Sequence, residues 1–289
     1  MDGIAGLPVV DHHCHLSPAG DGVRAARRFR SAGGTHLFVA TQNYEPKVPT
    51  DLDGYARQFE TTERLGRAAR DDAGVQASLV VAPYPVDLVQ AATTLGVAAA
   101  LELHLRALDL AGRWVRERRA VAIGEVGWPH FPIAPELAAA CRSAFRHALE
   151  VARDVGCPAV VHSPDLDDAG WAQLERDATD AGVPPHRVVK HYARARRLPS
   201  GPSATVPSYL ARRELVNEVL DDPGPWFLET DYLDDPKRPG AVLDLTTVPK
   251  RAAALARSSP AAAERLVVPF VRSVEQVYGF TPELSREPA

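Results

Sequence analysis

Eight short runs of β-branched and apolar residues recur along the 289-residue chain, at 8–15, 35–40, 76–82, 120–125, 158–162, 187–191, 204–207 and 226–231, with helix-like stretches between them. Strands that alternate with helices pair in parallel, because each helix carries the chain back to the end of the sheet where the next strand begins. Eight such units over about 250 residues are the pattern of an α/β fold of the (β/α)8 TIM-barrel type, in which the active-site groups come from the carboxyl ends of the strands. The stretch at 135–155 shows what one covering helix looks like: Leu137, Cys141, Ala144, Phe145, Ala148 and Val151 fall at helical spacing, Pro135 and Glu136 open it and Gly156 closes it. The seventh run is short and flanked by proline, and 194–203 is rich in Arg, Pro, Ser and Gly, so a long irregular loop is expected there. Pro269 is expected to open a last helix over about 268–279, with Phe270, Val271, Val274 and Val277 on its apolar side, and the residues from Thr281 onward are expected to fray. With no internal repeat or linker, residues 1–289 read as one barrel domain.

Composition narrows the function. An apolar content of 45% is enough for a full core, and a net charge of −4 leaves no broad basic face for sequence-independent nucleic-acid binding. Cys14, Cys141 and Cys157 are odd in number and far apart, so neither a disulfide framework nor a thiolate zinc site is expected, and a reducing cytoplasm fits. The start, Met1-Asp2-Gly3-Ile4, has no basic, apolar leader pattern, and no run reaches the roughly 18 apolar residues of a membrane span. A soluble cytoplasmic protein without membrane partners is the expectation.

His13 and His15 end the first strand-like run two residues apart, on one face of an extended strand, with His12 and Cys14 expected on the other. Such a pair is a ready metal chelate. Glu125, His162, His191 and Asp231 each end a later run, so a barrel would bring all six to one mouth. Nitrogen and carboxylate donors without thiolates suit an open, catalytic divalent-metal site. Six ligands exceed what one open ion needs and favour two: one held by His13, His15, Glu125 and Asp231, the other by Glu125, His162 and His191. Zinc is the first choice, with manganese, iron, cobalt or magnesium as alternatives. A water shared by two metals is acidified, and Asp231 beside it is placed to take its proton and pass it to the leaving group.

The order HxH, Glu, His, His, Asp at strand ends resembles the TatD-related branch of the amidohydrolase superfamily of metal-dependent hydrolases. Ile123-Gly124-Glu125-Val126-Gly127 and Glu229-Thr230-Asp231 carry the resemblance most closely, and the match runs from Asp11 to Asp231. It implies the barrel, a divalent-metal centre and hydrolysis, with the six ligands at the positions just named. Lysine carboxylation, used elsewhere in the superfamily to bridge ions, is not needed, because Glu125 occupies the corresponding strand. The loop from Tyr232 to Gly240 departs from the one that typically follows Glu-Thr-Asp in the deoxyribonuclease members.

Arg194, Arg196 and Arg197 follow His191, Lys237 and Arg238 follow Asp231, and His130 follows the Glu125 strand. Each is a candidate for binding substrate, the basic groups through a phosphate or carboxylate; a solvated loop is the plain alternative. Tyr44, Tyr84 and Trp128 also follow strands, where they either line a pocket or pack beneath loops. His12, His104 and His147 are expected to lack catalytic roles, His36 to lie at the opposite end of the barrel, and His186 to lie in a turn. The expected activity is hydrolysis of a small phosphoester or other polar ester. A nuclease on single-stranded ends, a lactone or amide hydrolase, and a metal-binding protein without turnover are the alternatives.

Overall fold

The computed structural model describes residues 6–197, 204–238 and 242–284. Part of the loop expected at 194–203, positions 239–240 after Asp231, and the tail from 285 lie outside the described residues. In chain order the elements are β1 (Val10–His15), α1 (Val23–Ser31), β2 (His36–Ala40), α2 (Leu52–Ala73), β3 (Gln76–Val81), α3 (Pro85–Leu95), α4 (Val97–Arg116), β4 (Ala122–Gly127), α5 (Pro135–Val155), β5 (Ala159–His162), α6 (Asp168–Asp180), β6 (Val188–Ala193), β7 (Val206–Leu210), α7 (Arg213–Val219), β8 (Phe227–Glu229), β9 (Tyr232–Leu233), α8 (Thr247–Ser258), α9 (Pro260–Arg265) and α10 (Ser273–Tyr278). All eight expected strand positions are strands. The seventh begins two residues later and runs three further than expected, and the eighth is broken at Thr230-Asp231 into β8 and β9. The expected last helix is α10, entered through a wider turn at Val268–Arg272 that contains Pro269, and ended at Gly279.

Every strand pairing is parallel, in the order β8-β7-β6-β5-β4-β3-β2-β1-β9. The two ends of that order are consecutive pieces of one chain, so the sheet closes on itself as a (β/α)8-type barrel. At the seam Asp231 N donates to His13 O (3.0 Å) and Asp234 N to His15 O (3.1 Å).

Alternate strand residues divide between two apolar layers. Val10, Phe38, Ala40, Val80, Ala122, Val160 and Val189 pack together in one. Leu37, Val39, Leu79, Val81, Ile123 and Val161 pack in the other with helix residues such as Phe29, Phe59, Trp114 and Phe145. Each large side chain so buried contributes on the order of 1.5–3 kcal/mol. The helices begin and end as their sequences dictate: Asp51 caps α2 by accepting from Gly54 N (2.7 Å), while α5 starts at Pro135 and stops at Gly156, where φ is 69°.

The even alternation breaks in three strands that carry candidate ligands. The pairing register shifts between Asp11 and Cys14 in β1, between Gly124 and Val126 in β4, and between Lys190 and Ala193 in β6. A bulge places an extra residue against its partner strand and re-aims the side chains beyond it. In β1 this corrects the expectation that His12 faces away from His13. His12 stacks on Phe227 (centroids 3.9 Å apart) and has Nδ1 4.0 Å from Glu229 Oε2, among the inner-layer residues, while only Cys14 joins the layer beneath the helices.

Candidate metal centre

The side chains of the six strand-end residues meet around Glu125. Its Oε1 lies 3.1 Å from His13 Nε2 and 3.0 Å from His15 Nε2, and its Oε2 lies 2.9 Å from His162 Nδ1 and 3.0 Å from His191 Nε2. Asp231 Oδ1 completes the first side, 3.9 Å from His13 Nε2 and 3.7 Å from His15 Nε2. One carboxylate thus divides its two oxygens between two pairs of imidazoles.

These donors fit divalent cations. Ligands 2.0–2.2 Å from one tetrahedral ion stand roughly 3.3–3.6 Å from each other, close to the separations seen here. Among the described residues three donor groups have their ligating atoms within 4.8 Å of one another: His13, His15 and Asp231; Glu125, His162 and His191; and, behind these two, His13, His191 and Glu229. The tautomers suit the task as well. The Nδ1 of His15 lies 3.2 Å from Ala40 O, a carbonyl that can only accept, so the lone pair is at Nε2, beside Glu125.

Charge follows the same plan. Burial works against the Glu125 carboxylate, yet His191, His13, His15 and His162 hold it well below the usual carboxylate range. In return, against the effect of burial, Glu125 helps push His191 up to about 10 and raises His15. Burial, reinforced by His191, lowers His13 to about 4, and burial raises Asp231 to about 7. A buried anion that draws positive charge from several sides is the field a cation site requires.

The backbone gives way where the clustered side chains need room. Gly127 has φ +127°, and a Cβ there would stand 2.1 Å from His162 O, so only glycine lets β4 end against the His162 strand. Asp231 itself sits at φ 49°, and Tyr192, next to His191, at φ 58°. Left-handed non-glycine residues are uncommon and cluster at functional sites.

Behind the candidate ligands lies Glu229, fully buried, with Oε1 accepting from Tyr192 N (2.6 Å) and 3.6 Å from His191 Nδ1. It stands behind the ring of His191 at ion-pair distance, just beyond a hydrogen bond. It stands two residues before Asp231, a spacing visible in the sequence, but its role was not read from it.

The cluster opens into a cavity of about 710 Å³ whose wall includes Arg194, Arg238, His130, Tyr84, Asp87 and Asn43. Arg194 Nε donates to Asp165 (2.9 Å) and Arg238 Nε to Asp235 (2.9 Å). His130 Nδ1 is 3.2 Å from His162 Nε2. The other three substrate candidates do not reach the cavity. Arg196 turns to Asp222 (3.1 Å), and Lys237 is exposed on its loop. Arg197 is buried, donating to Thr205 Oγ1 (2.8 Å), pairing with Glu175 and lying 4.1 Å over the Trp171 ring, so its work is packing.

A parallel barrel with an imidazole–carboxylate cluster at the carboxyl ends of its strands defines a metal-dependent hydrolase. The chain belongs to the family described as TatD related DNase, whose model matches residues 10–279. It is 29% identical over 289 residues to an uncharacterized protein of Methanocaldococcus jannaschii, covering 98% of this chain and 100% of that one. Two solved structures share the fold. The TatD-like protein of Archaeoglobus fulgidus has a TM-score of 0.61 and 14% identity, over 94% of this chain and 100% of that one. The phosphotriesterase homology protein of Escherichia coli, complexed with phosphate in its active site, has a TM-score of 0.59 and 12% identity, over 94% of this chain and 99% of that one. Among the described residues no helix is long and apolar enough to cross a membrane.

Proposed function

We propose that the chain hydrolyses a small phosphoester using two divalent cations, zinc foremost, one held by His13, His15, Glu125 and Asp231 and the other by Glu125, His162 and His191. The observation that carries this reading is the division of the Glu125 oxygens between two imidazole pairs. Cations there would acidify a water and polarise an oxygen of the bond to be broken. The protein's own part is placement. Glu125 and the four histidines fix the geometry, while Asp231 lines the cavity and is positioned to take a proton and return it to the leaving group. Arg194 and Arg238 supply donors for an anionic group.

A cavity of about 710 Å³ is of small-ligand size. Both arginines on it are already paired with aspartates, and among the described residues its lining holds no further arginine or lysine to follow a polynucleotide backbone. The family's description keeps one second reading alive, a nuclease acting on single-stranded ends. The three unpaired, buried cysteines fit a reducing cytoplasm as the place of action.

The test is elemental analysis of the purified protein, followed by assays on phosphomonoesters, phosphodiesters, lactones, cyclic amides and labelled single-stranded DNA, with and without chelator. Chelator-sensitive turnover of a small phosphoester supports the proposal. Turnover confined to DNA favours the nuclease, and metal uptake without turnover of any substrate leaves a binding protein.

A further inference from the structure

Tyr84, the residue immediately before α3, points its hydroxyl at the same imidazole that completes the second donor group. The oxygen is 3.2 Å from His162 Nε2, the ring stands edge-on to His162 at 5.0 Å, and the residue lines the cavity. The other nitrogen, His162 Nδ1, faces Glu125 and His191 and is the only one placed to ligate. A neutral imidazole that offers its Nδ1 lone pair to a cation carries its single hydrogen on Nε2. That nitrogen then has no lone pair left. It donates to Tyr84 or to His130 Nδ1, 3.2 Å away, and cannot accept from either. A cation held at Nδ1 would therefore turn the phenolic hydrogen of Tyr84 away from His162. Among the described residues that hydroxyl has no other hydrogen-bond partner, and Tyr84 borders the cavity.

We propose that Tyr84 is a substrate-contacting residue whose hydroxyl, released as a donor when His162 ligates a cation, donates to a non-bridging oxygen of the phosphoryl group. Tyr84 is thereby a neutral counterpart to Arg194 and Arg238, whose guanidiniums are already engaged by Asp165 and Asp235. The proposal rests on the phosphoester reading and deepens it.

The experiment compares wild type with Tyr84→Phe, which removes one oxygen and keeps the ring. Inorganic phosphate is titrated calorimetrically into the metal-loaded and metal-stripped forms of each, metal content is measured, and thermal melting checks the fold. One hydrogen bond to a charged oxygen corresponds to roughly tenfold to a hundredfold in affinity. We expect phosphate to bind that much more weakly to loaded Tyr84→Phe, with unchanged metal content and no difference between the stripped forms. As a second measurement, phosphate added to loaded wild type should perturb the near-ultraviolet tyrosine spectrum, and the perturbation should be missing in the variant. Equal phosphate affinity in the two loaded proteins overturns the proposal. So does loss of metal from the variant with normal phosphate affinity once metal is saturating, which would make Tyr84 a support for His162 alone. Loaded wild type that binds no phosphate would instead remove the phosphoester reading beneath it.

Discussion

The Asp11 carboxylate accepts from both the backbone N–H (3.1 Å) and the hydroxyl (2.6 Å) of Thr230, a residue 219 positions away. This buried pair fastens the first strand to the last just below the ligands, so that Asp231 meets His13 and His15. Asp11→Ala would take the acceptor from three buried donors, the N–H and hydroxyl of Thr230 and the N–H of His13, and is expected to cost about 2–3 kcal/mol. Denaturant unfolding together with metal analysis checks this; unchanged stability would show that the seam holds without the pair.

Glu125 is the one group shared by both donor sets. Glu125→Gln keeps its shape but removes the charge and one acceptor oxygen, so the variant is expected to bind less than the wild-type complement of metal. Changes behind a ligand typically cost 10–100-fold, and removal of the shared ligand should lower activity by more than about 100-fold. Elemental analysis beside turnover measures both, and full metal content would refute the bridging role.

Glu229 acts one step behind. Glu229→Gln retains an oxygen for the Tyr192 N–H but weakens the support of His191, and metal affinity should fall roughly 10–100-fold without loss of the fold. Competition against a chromogenic chelator would read the change. An affinity equal to wild type would mean that His191 is held by packing alone.

The arginines should separate by geometry. Arg194→Ala and Arg238→Ala are each expected to raise KM for an anionic substrate by about tenfold, the usual scale for one charge-assisted hydrogen bond. Arg197→Ala should destabilise the protein by about 2–3 kcal/mol, through lost bonds to Thr205 and Glu175 and lost packing on Trp171. A purely kinetic defect in Arg197→Ala, at normal stability, would reverse its assignment.

Acid should unfold the protein partly through His104, buried in α4 edge-on to Tyr55, whose imidazole burial pushes down to about 3. Below its ordinary value of 6.5 the unfolded chain takes up a proton there that the folded chain refuses. Stability therefore falls as pH drops from 6.5 towards 3, by up to about 1.4 kcal/mol per unit for this one proton. His104→Leu should show a shallower decline over that window in urea-unfolding free energies. Parallel curves for the two proteins would exclude the contribution.

Much of this arrangement was legible in the chain because strand and helix periodicities are local. The β-branched runs before His13, Glu125, His162, His191 and Asp231 mark strands, and a parallel barrel has one end at which such strands finish. The placement of Arg196 and Arg197 was not legible: each finds its acid only in the packed barrel, Arg197 at Glu175 of α6 and Arg196 at Asp222 between α7 and β8. Tyr84 was legible as a residue after a strand that could line a pocket, but the imidazole it faces was not, and neither was the one behind which Glu229 lies.

The order of residues thus determined the barrel, the end of it that carries chemistry, and the kinds of donor gathered there. Tertiary structure decided how those donors divide. Register shifts in β1, β4 and β6 re-aim neighbouring side chains, and β9 pairing with β1 closes the ring. Closure joins strands more than 200 residues apart, and the shifts accommodate the register it imposes. No local pattern of hydrophobicity encodes either, because both minimise the free energy of the whole sheet rather than of any one strand.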